Sequence, residues 1–257
     1  MSLPRTFVIG DVHGCIEELQ ELLHSLSLLD HDHVIFAGDL IHKGPDSVGV
    51  LALVGSLGEF CKVTVVTGNH EEKQLRWARN EQKAKLSGKA NPMQHTEGYA
   101  EIWENCTPEL IQLMENSRLY VEAEGFLILH GGLAPKAELK DIAIKDLGTL
   151  EPDIRDRAKW ILFTRYISPY GTPISLGQET EADKYWAEDY DGWAGHILFG
   201  HQPFMQEQVK TFKYAIGLDL GCVYGNTLAA VQIANNKIVK EYYVKAHKQY
   251  DHPYFED

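Results

Sequence analysis

Aspartate, asparagine and histidine recur in this chain directly behind short hydrophobic runs. Asp11 and His13 stand in Gly10-Asp11-Val12-His13-Gly14, and Asp39 follows Gly38. Asn69, His70 and Glu71 follow Gly68, His130 precedes Gly131-Gly132, and His201 follows Gly200. Carboxylate, amide and imidazole make a mixed oxygen and nitrogen donor set. Such a set suits manganese, iron, cobalt or zinc better than a soft thiolate site would. One carboxylate can bridge two ions, and ions about 3.5–4 Å apart clamp a phosphoryl group for in-line attack. Each piece alone has an ordinary reading: a turn with an incidental Asp, a satisfied strand-end histidine, a glycine turn. All five in this order, each behind a strand, make coincidence the weaker explanation.

The elements that must position these residues are legible in the first third. Thr6–Gly10, His33–Ala37 and Val63–Thr67 read as short apolar strands. Between them, Cys15 to Leu26 carries Ile16, Leu19, Leu22, Leu23 and Leu26 at helical spacing. Pro45, Asp46 and Ser47 open a second helix, with Gly58 expected at its stop. This β-α-β-α-β rhythm predicts parallel strands with right-handed crossovers. Their carboxyl ends then share one edge, where open α/β sheets place their sites.

The remainder is less regular. Arg79 to His95 is polar without an apolar stripe and is expected to be a mobile loop or a frayed helix end. Glu97–Asn105 and Pro108–Asn116 read as short helices, and Leu119–Val121 with Phe126–Leu129 as a hairpin. One helix is expected after Pro152 within an irregular insertion spanning about 134–195. Strands return at Ile197–Phe199, Tyr214–Leu218, Leu228–Ile233 and Ile238–Val244, the last two joined through Asn235-Asn236. His31 and His33 flank Asp32 and are expected to begin a strand in solvent. Gln249–Asp257 is expected to be a solvated acidic end. The aromatic cluster Tyr185, Trp186, Tyr190 and Trp193 is read as packing before base stacking.

Composition bounds the function class. The 257 residues carry 24 Lys and Arg against 37 Asp and Glu, a net charge of −13, with 44% hydrophobic residues. That excludes bulk disorder. It also argues against broad nucleic-acid binding, which needs clustered cations. Four cysteines fit no zinc spacing, and neither Cys15 nor Cys222 has the basic neighbour of a reactive thiolate. With no signal-like or membrane-spanning run, the expectation is a cytoplasmic protein.

Taken together, GDVHG, GD…KG, GNHE, HGG and GH resemble the metallophosphoesterases of the phosphoprotein-phosphatase type. The resemblance runs from about Val8 to Asn226 and is weak over Arg79–Gln94 and Ala134–Trp193. Gly38 to Pro45 (GDLIHKGP), Thr164–Tyr166 (TRY) and Ile216 to Gly225 (IGLDLGCVYG) look most like the diadenosine tetraphosphatase and ApaH-like branch. The resemblance implies a single α/β domain over 1–257 with the four-layer α-β-β-α, calcineurin-like sandwich. It implies two divalent ions, manganese first, with cobalt, iron, zinc and magnesium as alternatives. Asp11, His13 and Asp39 would hold one ion, and Asp39, Asn69, His130 and His201 the other. His70 would act as the general acid, Lys43 and Arg165 would bind phosphate, and His42 and Tyr224 would line the substrate groove. The implied substrate is a small nucleotide such as diadenosine tetraphosphate, cleaved symmetrically to two ADP. Phosphoprotein, capped RNA and polyphosphate are alternative substrates, and a non-catalytic scaffold is the alternative of another class.

The departures carry information. The protein-phosphatase pattern has Asp and Arg where this chain has His42 and Lys43. His42 cannot supply the negative charge that keeps a catalytic histidine protonated. A serine alkoxide needs a strong proton donor, whereas a phosphate leaving group carries stabilised charge of its own. Position 42 therefore favours anhydride substrates. Lys43 offers a compact point charge in place of a bidentate guanidinium.

Overall fold

Strand ends from two sheets meet at one edge of the molecule. The structure, a computed structural model, describes residues 3–252; the last five residues of the expected acidic end lie outside them. The first sheet holds β1 (Thr6–Ile9), β2 (His33–Phe36) and β3 (Lys62–Val65), all parallel. The second holds β4 (Tyr120–Ala123), β5 (Phe126–Leu129), β9 (His196–Phe199), β10 (Lys210–Thr211) and β11 (Ala215–Gly217). Its order is β10-β11-β9-β5-β4, with β5, β9 and β11 parallel. β12 (Thr227–Ala234) and β13 (Lys237–Lys245) close the first sheet, in the order β13-β12-β1-β2-β3. Asn235 and Asn236 both take left-handed backbone between them, as a tight primed turn requires.

The sheets stack face to face. Val8, Ile35 and Ala37 of one meet Phe126, Ile128 and Leu198 of the other in a sealed apolar layer. The alternate residues Phe7, Ile9, Val34 and Phe36 turn outward. They pack under α1 (Ile16–Leu26), through Leu19, Leu22 and Leu26, and α2 (Ser47–Phe60), through Val50, Leu51 and Val54. Covering on both faces explains why these strands read as continuous apolar runs. This is the expected four-layer arrangement. No described helix is long and apolar enough to cross a membrane.

Several expectations are corrected. α2 starts behind Asp46, whose carboxylate accepts from Gly49 N at 2.7 Å, and runs past Gly58 to Phe60. A Cβ on Gly58 would meet nothing within 4 Å, so this glycine marks no turn. α3 (Asn69–Ser87) continues through most of the stretch expected to be loop or frayed. Its first turns are anchored by buried Glu71, Glu72, Gln74, Leu75 and Trp77. The Arg, Glu, Gln, Lys and Ala that follow are strong helix formers and need no apolar stripe. After α4 (Tyr99–Asn105) and α5 (Pro108–Glu115), the insertion forms α6 (Pro152–Phe163) and a small sheet of β6 (Tyr166–Ile167), β7 (Pro173–Ile174) and β8 (Lys184–Tyr185), followed by α7 (Trp186–Asp189). Trp186 and Tyr190 are buried as expected, but Trp193 is 53% exposed. The chain near its end is docked: Tyr250 N and Asp251 N donate to Val223 O, and Tyr250 Oη donates to Glu18 Oε1 at 2.8 Å.

Position 32 is also not a solvent turn. Asp32 is fully buried and accepts from Arg5 N, Nε and Nη2 and from Leu29 N at 2.5–3.2 Å. His33 is half-buried against Thr64 Oγ1 at 2.8 Å, and burial pulls its pKa down to about 4. Burial alone would raise the Asp32 carboxyl, but its Arg5 and backbone donors hold it below the usual range. The clamp therefore stabilises the fold above pH ~4 and is lost as pH falls through the depressed value. Asp32→Asn should cost about 2 kcal/mol at pH 7 in urea unfolding. The deficit should shrink on acidification, and equal stability of the two proteins at pH 7 would refute the clamp.

Candidate metal centre

Each parallel strand delivers one group to the shared edge. Asp11 and His13 follow β1, Asp39 follows β2, and Asn69 and His70 open α3 behind β3. His130 follows β5, His201 follows β9, and Asp219 follows β11. The structure brings together all six residues expected to hold metal, and each is buried.

Asp39 is the hub. Its Oδ2 lies 3.2 Å from His130 Nε2, 3.5 Å from His13 Nε2 and 3.9 Å from His70 Nε2, while Oδ1 accepts from His70 N at 2.9 Å. Asn69 Oδ1 faces His130 Nε2 at 3.0 Å and His201 Nδ1 at 2.8 Å. Asp11 stands further out. Its Oδ2 is 3.9 Å from His13 Nε2, and both its oxygens accept from His201 N. Two groups of three, His13-Asp39-His70 and Asp39-His130-His201, have ligand atoms within 4.8 Å of one another, and they share Asp39.

Three observations fit this set to divalent cations. His13 and His130 each direct Nδ1 at a backbone carbonyl, Ile41 O at 3.1 Å and Ala37 O at 2.9 Å. Each therefore commits Nδ1 to the backbone and aims Nε2 toward Asp39, the arrangement that orients metal-binding imidazoles. His201 Nε2 is buried with no partner. Burial pushes His13 down to about 3 and His70 and His201 well below the usual imidazole range, so these rings are neutral. His130 is the exception. Burial opposes its protonation, but Asp39 and Asp11 raise it to about 9.

The backbone is strained here. Among the described residues, ten non-glycine residues have positive φ, and five of them are His13, Asp39, His42, Lys43 and His201. Such conformations persist where surroundings over-determine them. One restraint is Glu71, which sequence reasoning grouped with the donors. Its Oε2 accepts from Asp39 N and Gly68 N at 2.9 and 2.8 Å, and its Oε1 from Leu40 N at 2.8 Å. It is a cradle for the two loops. Gly38 is the other requirement: a Cβ there would sit 2.7 Å from both Gly68 N and His130 Nδ1, at a φ of +99°.

A hydrogen-bonded chain stands behind His70. Gln74 Nε2 donates to Tyr99 O at 3.0 Å, so its Oε1 must accept from His42 Nε2 at 2.9 Å. The flipped amide would set two oxygens against each other. Neutral His42 thus presents a bare Nδ1, which lies 2.9 Å from His70 Nδ1. His70 donates there and turns Nε2 to the centre. The His42 ring is stacked 4.2 Å from Tyr99, and burial lowers its pKa to about 4. His42 is therefore buried behind His70 and does not line an open groove.

The cations expected to bind phosphate lie at the rim. Lys43 Nζ is 3.2 Å from His13 Nε2 and 5.3 Å from the centroid of the half-buried Tyr224 ring. Burial opposes its charge, but Tyr224 and Asp39 hold its pKa above the usual value. Arg165 makes no ion pair among the described residues; its Nη2 donates to His201 O at 2.8 Å. Gln74, Tyr99 and Asp219 were missed. Gln74 follows His70 by four residues, a helical spacing that was available as a signal. Asp219 lies in the IGLDLGCVYG segment, is buried, and accepts from Gly221 N at 2.9 Å.

Known proteins share this architecture. A family model described as calcineurin-like phosphoesterase matches residues 4–205. An asymmetrical bis(5'-nucleosyl)-tetraphosphatase PrpE from Oceanobacillus iheyensis is 29% identical over 246 residues, 90% of each chain. A symmetrical bis(5'-nucleosyl)-tetraphosphatase from Vibrio parahaemolyticus is 26% identical over 265 residues, 88% of this chain and 94% of its own. A crystal structure assigned as a diadenosine tetraphosphatase superposes with a TM-score of 0.68 at 26% identity, over 95% of this chain and 96% of that one. A protein serine/threonine phosphatase from Saccharomyces cerevisiae shares the fold, with a TM-score of 0.59 at 15% identity over 95% of this chain and 79% of its own. The motif resemblance to the tetraphosphatase branch is thus borne out, and this chain belongs to the calcineurin-like phosphoesterases, a metal-dependent hydrolase of that family.

Proposed function

We propose that this chain hydrolyses phosphoanhydride bonds and that its best substrate is a dinucleoside polyphosphate, with diadenosine tetraphosphate cleaved to two ADP. The observation that carries the reading is the chain Tyr99–Gln74–His42–His70, which contains no carboxylate. His42 can accept the His70 Nδ1 hydrogen but adds no negative charge. His70 therefore makes a modest proton donor, sufficient for a phosphate leaving group and poor for an alkoxide. Similarity to tetraphosphatases over nearly the whole chain supports the same substrate class.

In this reading Asp11, His13 and Asp39 hold one divalent ion and Asp39, Asn69, His130 and His201 the second, manganese serving best. Ions bound there would supply charge to neutralise phosphoryl oxygens and to activate water for attack on phosphorus. Lys43 Nζ and the Arg165 guanidinium add fixed positive charge to the same oxygens. His70, neutral at rest, would first take up a second proton at Nε2 from solvent and then give it to the departing oxygen as the phosphorus–oxygen bond breaks.

The direct test loads the protein with manganese, offers diadenosine tetraphosphate, and separates products by ion exchange. ADP alone is expected, lost at least a hundredfold in Asp39→Asn. ATP with AMP would replace symmetrical by asymmetrical cleavage, a mode also found among the relatives. Turnover of a phosphothreonine peptide without nucleotide cleavage would overturn the reading. A second test moves the chemistry behind His70. His42→Asp should raise the ratio of phosphopeptide to dinucleotide turnover about tenfold or more, general acid catalysis being worth ~10²–10⁴ in rate. An unchanged ratio would remove His42 as the reason for anhydride preference.

A further inference from the structure

The partly exposed side of α3 continues the site beyond His70. Residues 69, 71, 72, 74, 75 and 77 of this helix are buried, whereas His70, Lys73 and Arg76 are only partly so. Their three-residue spacing makes one ridge. At 1.5 Å rise per residue, Lys73 and Arg76 lie roughly 4.5 and 9 Å along the axis from His70.

Of these two cations, Lys73 is unpaired among the described residues and Arg76 is only loosely paired. Lys73 makes no hydrogen bond or ion pair among the described residues. Burial first, and then the charges of Lys43, Arg76 and Arg165, lower its pKa, while Asp39 acts the other way. Arg76 has one ionic partner, Glu72 at 3.4 Å. Lys159 takes the other oxygen of Glu72 at 2.9 Å, so Arg76 shares that carboxylate with a second cation, and Arg76 Nε is buried without a partner. Lys43 stands at His13 and Arg165 on the His201 carbonyl, both near enough to act on Lys73, in a chain of net charge −13. Like charges held together in this way call for an anion, and more anion than a single phosphoryl group at the metal centre brings.

We propose that Lys73 and Arg76 form a second phosphate subsite that binds the phosphates beyond the one being cleaved, so that the enzyme selects condensed phosphate chains over monoesters. The selection of anhydride substrates rests on the function proposed above; the presence of the subsite does not. A ridge leading from His70 gives a linear phosphate chain one direction in which to lie. Lysine suits this position because a point charge on a flexible stem can follow successive phosphates.

The test uses competition, so that binding is read apart from anhydride cleavage. The manganese-loaded full chain hydrolyses p-nitrophenyl phosphate in the presence of either orthophosphate or a methylene-bridged, uncleavable analogue of diadenosine tetraphosphate. Lys73→Met should raise the inhibition constant of the analogue at least tenfold more than that of orthophosphate, and Lys73→Arg should restore most of the difference. Arg76→Met should act in the same direction. Equal shifts for both competitors, no shift, or failure of the analogue to compete with the wild type would each overturn the subsite. A wild type that binds the analogue through Lys73 yet leaves diadenosine tetraphosphate uncleaved would instead sink the anhydride reading and leave the subsite standing.

Discussion

A carboxylate charge buried among imidazoles organises this molecule. Asp39 is 2% exposed, its side chain is ringed by His13, His70 and His130, and its own φ is +52°. An isolated charge of this kind is expensive to bury. The surroundings compensate through His130, pushed toward its cationic form, through hydrogen bonding, and through the nearby Lys43 charge. The rest of the edge follows from keeping that carboxylate in place. Glu71 ties the loop after β2 to the loop before α3 through three backbone donors. Those donors favour its ionised form, whereas burial and the Asp39 charge push its pKa up to about 7. Gly68 has no room for a side chain, because a Cβ there would overlap Asp39. Two carboxylates and two glycines thus fix a geometry that neither loop would adopt alone.

The proton chemistry is set one layer further back. Tyr99 O fixes the Gln74 amide, the amide fixes the His42 tautomer, and His42 fixes which His70 nitrogen faces the centre. Every link is a neutral hydrogen bond. A carboxylate at position 42 would add Coulomb stabilisation of the His70 cation, and in a buried setting that is a large effect. On the proposed reading, a single side chain would tune the site between leaving groups that need a proton and leaving groups that do not, without moving any candidate metal-binding atom. Stacking on Tyr99 holds the His42 ring in the plane this chain requires.

What the sequence made legible follows from where the information is local. The parallel strands, the first two helices and the Asn235-Asn236 turn are written in short apolar runs and turn residues, and the donors stand next to them. The length of α3 was hidden because its second half is polar all round. It is fixed by propensity and by a first half anchored on buried Glu71, Gln74 and Trp77. The Arg5–Asp32 clamp joins residues 27 apart, and the docking of Tyr250 on Glu18 joins residues 232 apart. Nothing in the local pattern announces pairs of that kind. Position 42 was legible as a chemical departure but not in its placement. Only the fold shows that His42 is covered by α3 and α4 and acts through His70.

The insertion shows how an irregular segment can still be placed with accuracy at a metal centre. Its contacts there run largely through backbone and glycine. Arg165 grips the carbonyl of His201 itself, and Trp186 N donates to Arg165 O. Gly131 N donates to Ile161 O one residue after His130, and the Trp186 ring fills the space that a Cβ on Gly132 would need. These contacts constrain position without demanding particular side chains over the remaining loops. They keep Arg165 in register with His201. Away from the centre the insertion is held by packing instead: Ile144, Leu147, Ile161, Leu162 and Ile167 are buried in the main core, and Lys159 pairs with Glu72 of α3.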